Sequence, residues 1–164
     1  MAGDYQVVHV MPKALRISPP RISLLLIAVI VILLDHVTKL AVVNSIALYH
    51  KVNLGPFVSL NHIDNAGAAF GLFPNAQFLF LGVAVIVSAY ILLAGRKLGS
   101  ALYVQLILGA ILGGALSNAI DRVMQGYVVD YVDFHFWPVF NLADVCIVLG
   151  TIAALLFIRT PAPE

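Results

Sequence analysis

Two aspartates bracket the run of aromatics in the segment 127–139, YVVDYVDFHFWPV: Asp130 near its start and Asp144 beyond its end. Two carboxylates held close together cannot both ionise easily, so such a pair comes to share one proton. One member can then take a proton from water while the other donates to a scissile carbonyl. That is amide hydrolysis without a covalent intermediate. A helix expected to begin just before Asp144 favours the ionised form of that residue. The expectation is therefore that Asp144 holds the charge and Asp130 the proton, within a pair that titrates as a unit.

Other polar side chains recur at helical spacing. Asp35, Thr38 and Lys39 fall at i, i+3, i+4, as do Asn118, Asp121 and Arg122, and Asn141 with Asp144 falls at i, i+3. Each group also has a structural reading. Asn141 and Asp144 have the spacing of a capping box, with Phe140 and Val145 as its staple. Asp35 with Lys39 reads as an ion pair holding the top of a helix. Asp121 with Arg122 reads as a boundary pair at an interface. Arg122 also has a guanidinium fork suited to holding carbonyls or carboxylates. Lys39 with Ser45 or Ser117 is a competing nucleophilic pair, but neither serine lies at contact spacing from the lysine. The histidines form no metal-ligand pattern, so neither a metal nor a cofactor is expected.

The elements that must position these residues are membrane spans. Of the 164 residues, 62% are hydrophobic and only 10% charged. A chain this short cannot bury that much apolar surface within itself, so lipid is the expected solvent. The formal net charge of +1 excludes a broad basic field, and with it nucleic acid as a partner. The single cysteine, Cys146, excludes a disulfide scaffold.

Four apolar runs, about 22–43, 76–94, 101–120 and 140–158, each approach the ~20 residues needed to cross the hydrocarbon as a helix. Outer loops then cover 44–75 and 121–139, tails cover 1–21 and 159–164, and 22–158 is one membrane domain. Lys13, Arg16, Arg21, Arg96, Lys97 and Arg159 fall on one side of this layout, which predicts that both termini are cytoplasmic. The basic lead and apolar run at the start also fit a signal peptide, but Asp35 and Lys39 argue for a retained span. The polar groups then converge near the outer interface, with Asn65 reaching that depth from the first outer loop. Residues 51–63 alternate partially and predict a short strand pair. Gly109, Gly113 and Ser117 form a small-residue stripe for close helix packing.

Five ordered motifs carry a resemblance. They are DHVTK at 35–39, NAGAAF at 65–70, GGALSNAIDR at 113–122, VVDYVD at 128–133 and FNLAD at 140–144. In these the chain resembles lipoprotein signal peptidase, the bacterial signal peptidase II, over nearly its whole length. The resemblance implies cleavage of diacylglyceryl-modified prolipoproteins just before the lipid-bearing cysteine. It puts the catalytic pair on Asp130 and Asp144, and site-ordering or substrate-binding roles on Asn65, Asn118, Arg122 and Asn141. Asp35, Lys39, Asp121 and Gly67 fall to structural support. It further implies an all-α, four-span protein of the bacterial inner membrane with its site at the outer face. A small extracytoplasmic β-cradle and a short interfacial helix between spans three and four complete that fold. Membrane lipid and globomycin-type inhibitors join the substrate as expected partners.

The competing class is a small ion-coupled transporter or assembly subunit, since intramembrane acids also mark proton paths. A path needs polar residues through the whole thickness and usually repeated halves, and the sequence has neither.

Overall fold

A computed structural model describes residues 19–67 and 76–158. Most of both expected tails, with Lys13, Arg16 and Arg159, lies outside the described residues, as do positions 68–70 of the NAGAAF motif.

The chain runs α1 (Pro19–Ser45), β1 (Lys51–Asn53), β2 (Ser59–Asn65), α2 (Gln77–Leu98), α3 (Leu102–Gln125), β3 (Val128–Asp133) and α4 (Leu142–Phe157). The four helices coincide with the four apolar runs. Two stretches are long and apolar enough to cross a membrane, Ile22–Ser45 and Leu102–Gln125; Gln77–Leu93 and Leu142–Phe157 are shorter apolar stretches.

Helix α3 is the hub and packs against each of the other three. Its small residues allow that approach. A Cβ added at Gly109 would sit 2.6 Å from the Leu24 carbonyl oxygen, and one at Gly113 would sit 2.7 Å from that of Ala28. Both oxygens belong to α1, so the stripe is a packing seam. Leu24, Ala28, Ile91, Val104, Leu108, Ile111 and Leu112 form the core between α1, α2 and α3. Outward faces such as Leu33, Val37, Val85, Ile86, Leu155 and Leu156 are exposed. Apolar residues on the outside are what a lipid-solvated bundle requires.

The sheet has the order β1-β2-β3 and is antiparallel throughout. The expected strand pair forms with Lys51 opposite Asn61 and Asn53 opposite Ser59. Val129 and Tyr131 pack on Val42 and Ile46, which seats the sheet on the C-terminal end of α1.

Two expectations need correction. Among the described residues no interfacial helix joins the third and fourth helices. VVDYVD is rich in β-branched and aromatic residues, and it becomes the strand β3, paired with β2 from Ser59↔Asp133 to Asn65↔Val128. Beyond β3 the chain turns, with His135 at φ 64°, and returns Phe140 to bridge Val132. Second, the outer loop does not begin at 121. Helix α3 continues to Gln125 and stops at Gly126, where φ is 84° and the amide donates to the Arg122 carbonyl. A left-handed glycine ends the helix, so Asp121 and Arg122 belong to its last turns.

Candidate active site

The C-terminal ends of α1 and α3 contact the sheet, and the N-terminus of α4 is hydrogen-bonded to β3. The bridge between Phe140 and Val132 brings Asn141 beside β3. Asn141 caps α4, its Oδ1 accepting from the Asp144 amide at 2.9 Å while Asp144 Oδ2 accepts from the Asn141 amide at 3.2 Å. The capping-box reading is therefore right. It does not compete with a site, because the same box fixes Asp144 at the mouth of a cavity shared with Asp130.

Both carboxylates are held by asparagine amides. Asp130 Oδ1 accepts from Asn141 Nδ2 and Oδ2 from Asn65 Nδ2, each at 2.7 Å. Asp144 Oδ1 accepts from Asn118 Nδ2 at 2.8 Å. Each amide is oriented by a donor on its own oxygen. Asn65 Oδ1 accepts from the Gly67 amide, Asn141 Oδ1 from the Asp144 amide, and Asn118 Oδ1 from Lys39 Nζ at 3.0 Å. With each oxygen engaged, the NH₂ group must face the carboxylate.

Lys39 joins the helices below the pair. Its Nζ lies 2.6 Å from both Asp35 Oδ2 and Asp121 Oδ2, so the expected i,i+4 pair is also a bridge from α1 to α3. The three contacts match the three donors of an ammonium. Ser117 donates to Asp35 at 2.7 Å and does not contact Lys39, which disfavours the serine–lysine reading. Asp35 is fully buried, and its Oδ1 accepts from the Ala143 amide at 2.9 Å.

One residue that the sequence reading missed completes this end of α4. The Tyr131 hydroxyl donates to Thr38 Oγ1 at 2.9 Å and accepts from the Leu142 amide at 3.2 Å. Thus Leu142, Ala143 and Asp144, whose amides have no partner within the helix, donate to Tyr131, Asp35 and Asn141. Three elements aim the turn that carries Asp144. Burial raises the Tyr131 phenol above its usual range, so the hydroxyl stays neutral.

The cavity measures about 320 Å³ and is lined by Asn65, Gly67, Phe80, Asn118, Arg122, Asp130 and Asp144 among others. Arg122 lies at its wall, with the guanidinium carbon 5.2 Å from the centroid of the Phe80 ring. Nη1 donates to the Asn118 carbonyl at 3.1 Å, while Nε is buried without a partner among the described residues. Burial first, then the negative charge of Asp144, pushes the Asp130 carboxyl up to about 7 against the bonds from Asn65 and Asn141. An acid that keeps its proton near neutrality beside a second carboxylate is the arrangement general acid–base chemistry requires.

Comparison with known proteins decides the family. The model described as Signal peptidase (SPase) II matches residues 27–160. The chain belongs to the signal peptidase II family. The lipoprotein signal peptidase of Halothermothrix orenii is 41% identical over 134 residues, covering 81% of this chain and 92% of that protein. That of Moorella thermoacetica is 42% identical over 142 residues, covering 85% and 95%. A solved structure described as a bacterial membrane enzyme, obtained by the in meso method at 2.3 Å, superposes with a TM-score of 0.74. It is 29% identical and covers 82% of this chain and 85% of its own. Signal peptidase II is a membrane enzyme, and this member is an aspartic-type peptidase with apolar helices to match.

Proposed function

We propose that Asp130 and Asp144 are the catalytic dyad with which this enzyme removes the signal peptide from diacylglyceryl-modified prolipoproteins, cutting just before the lipidated cysteine. The observation that carries the reading is the set of three oriented asparagine amides, which hold both carboxylates at one cavity.

Asp144, at the N-terminus of α4, is the ionised partner and takes a proton from the attacking water. Asp130 gives its proton to the scissile carbonyl oxygen as the tetrahedral intermediate forms. In the second half Asp144 returns its proton to the departing amine, and Asp130 takes one from the intermediate as the carbonyl re-forms. The dyad is thereby restored. Asn65, Asn118 and Asn141 keep the carboxylates in place. Arg122, at the cavity wall with an Nε that has no partner among the described residues, receives a backbone carbonyl of the substrate. Asp35, Lys39, Asp121 and Gly67 support the frame through their ion pairs and hydrogen bonds.

The same proposal places the enzyme as one domain over 22–158 in the bacterial inner membrane. All four helices span, both termini are cytoplasmic and the sheet end faces outward. A lipid-anchored signal peptide presents its scissile bond near the outer headgroups, and membrane lipid bathes the apolar faces. Globomycin-type inhibitors then occupy the dyad cavity.

The test is cleavage of a diacylglyceryl-modified prolipoprotein by the purified protein in detergent with a chelator present. Cleavage by the parent, its block by globomycin, and its loss in folded Asp130→Asn and Asp144→Asn variants are expected. Retained cleavage in either variant breaks the dyad model.

A further inference from the structure

A second cavity lies beside the first. The turn after β3 stacks its rings, with Phe134 and Phe136 centroids 6.1 Å apart and Phe134 and Phe140 centroids 5.4 Å apart. Below this slab lies the face of α4 carrying Val145, Val148 and Leu149, at i, i+3, i+4. Between them is an apolar groove of about 370 Å³. Asp144 stands at its head, and Trp137, Phe140 and Val148 line both this groove and the dyad cavity. From Asp144 it runs along α4 away from the sheet.

We infer that this groove receives one acyl chain of the substrate's diacylglyceryl group while the peptide bond lies on the dyad. The inference rests on the proposed peptidase function. The chemistry of the substrate supplies the occupant. The glyceryl group is attached to the sulfur of the residue whose nitrogen leaves, only a few bonds from the scissile carbonyl. With that carbonyl between Asp130 and Asp144, the ester groups must lie at the edge of the dyad cavity. The chains must then leave through an apolar opening next to it.

The groove shares Trp137, Phe140, Asp144 and Val148 with the dyad cavity, begins at Asp144, and points in the direction an acyl chain takes from a headgroup at that depth. Its walls are also suited to holding a chain. Linked aromatic rings present contact area with few rotatable bonds.

The energetics set the kind of effect to expect. An acyl chain arriving from lipid is already in an apolar solvent, so the groove contributes packing and orientation rather than a hydrophobic driving force. Its contribution lies in where it sets the lipidated cysteine relative to the dyad, which acts on kcat/KM for long-chain substrates.

The experiment uses one lipidated peptide made with long or with very short acyl chains, cleaved by the full-length protein in lipid nanodiscs. The parent is expected to prefer the long chains. Leu149→Trp fills the groove and Phe136→Ala opens its wall; neither residue lines the dyad cavity. Leu149→Trp is expected to lower kcat/KM about tenfold on the long-chain substrate while short-chain cleavage stays within about twofold, and Phe136→Ala to weaken the preference several-fold.

A diazirine near the end of the long chain should label residues 134–149 of the Asp130→Asn protein, and excess phospholipid should not abolish that labelling. Equal losses on both substrates in the folded variants would overturn the inference, as would an unchanged preference. Labelling that phospholipid removes in proportion to its concentration would show the groove to hold only surrounding lipid. In each of those cases the dyad still cleaves. A parent that cleaves neither substrate would instead remove the proposed function, and the inference with it.

Discussion

Gly114 is a contact between the helix that carries Asn118 and the helix that carries Asp144. A Cβ added there would meet the Ala143 carbonyl oxygen at 2.5 Å and Ile147 Cγ1 at 2.9 Å. An ordinary contact begins near 3.4 Å, so the Ala143 backbone must give by about 0.9 Å. The obstacle is main chain and cannot rotate away. Ala143 is fully buried and its amide is bonded to Asp35, so the movement passes to the next residue, Asp144.

A misplacement of about 1 Å at a reacting group can lower the rate by about 100-fold. Gly114→Ala is therefore expected to lower kcat by about 10- to 100-fold, with an overpacking loss of about 1–3 kcal/mol in stability.

The control is Gly150→Ala on the same helix pair. Its Cβ would meet Ile111 Cγ1 at 2.7 Å, but the nearest backbone atom, the Ile107 oxygen, is at an ordinary 3.5 Å. Ile111 Cγ1 is the branch of a stiff side chain and must shift, at some loss of stability, but no backbone in the first turn of α4 is displaced, so kcat should stay within about twofold of the parent's. The assay is steady-state cleavage of a lipidated peptide at a temperature where thermal melts show all three proteins folded. A folded Gly114→Ala enzyme with the parent's kcat would refute the reasoning, and so would an equal loss in Gly150→Ala.

Asn65→Ala removes a donor that holds the Asp130 carboxyl down, so the alkaline limb of the pH–rate profile, expected near pH 7 in the parent, should move upward; a downward move would contradict the assigned proton. Because folding raises this carboxyl from 3.8 to about 7, the parent should lose stability as pH rises between those values, and Asp130→Asn should flatten that slope in melts taken across the range. Lys39→Met leaves two buried carboxylates without their cation and should destabilise the protein by about 3–5 kcal/mol, measured by thermal or denaturant unfolding; a melt unchanged from the parent's would show that the bridge is not structural. Tyr131→Phe keeps the ring and loses the hydroxyl that joins Thr38 to the Leu142 amide, so about 1 kcal/mol of stability and a few-fold in kcat should go with KM unchanged. A pure KM effect would place Tyr131 on the substrate instead.

Legibility in the sequence followed the range of the physics. The four helices were legible because their apolar runs are local and long. The β1–β2 pair was legible from alternation in 51–63. β3 has no period-two pattern, since Asp130 and Asp133 are three apart and its first four residues are all buried; only its β-branched content marks it as a strand, and the aromatics beside it favour an interfacial reading. The end of α3 was set by one glycine, Gly126, where a polar pair five residues earlier looked like the boundary. Asp35 with Lys39 could be read as a pair because i,i+4 is a property of one helix. That Lys39 also reaches Asp121 and Asn118 on another helix is a tertiary fact which no spacing encodes. Tyr131 was lost for the same reason: a tyrosine between two aspartates looks like strand filler until its hydroxyl meets the first turn of α4.

Cap and site are one structure here, which explains why the functional residues lie where ordinary helix physics would put them anyway. The N-terminal turn of α4 leaves amides that must find acceptors. Supplying those acceptors from α1, β3 and the cap itself ties the turn to α1 and β3, which carry Lys39 and Asp130. An asparagine at the cap can accept from the helix with its oxygen and still donate with its nitrogen, and Asn141 gives that nitrogen to Asp130. Asn118 does the same between Lys39 and Asp144. A carboxylate at either position would satisfy the helix or the lysine but have nothing to donate to the dyad. The three amides therefore do what a water shell would otherwise do for two buried acids, without the mobility of water. Asp130, whose carboxyl is pushed up to about 7, is held by two of them on a strand rather than at a helix terminus. The asymmetry that the proposed acid–base hydrolysis needs is matched by secondary structure, with one acid on a strand and the other in the first turn of a helix.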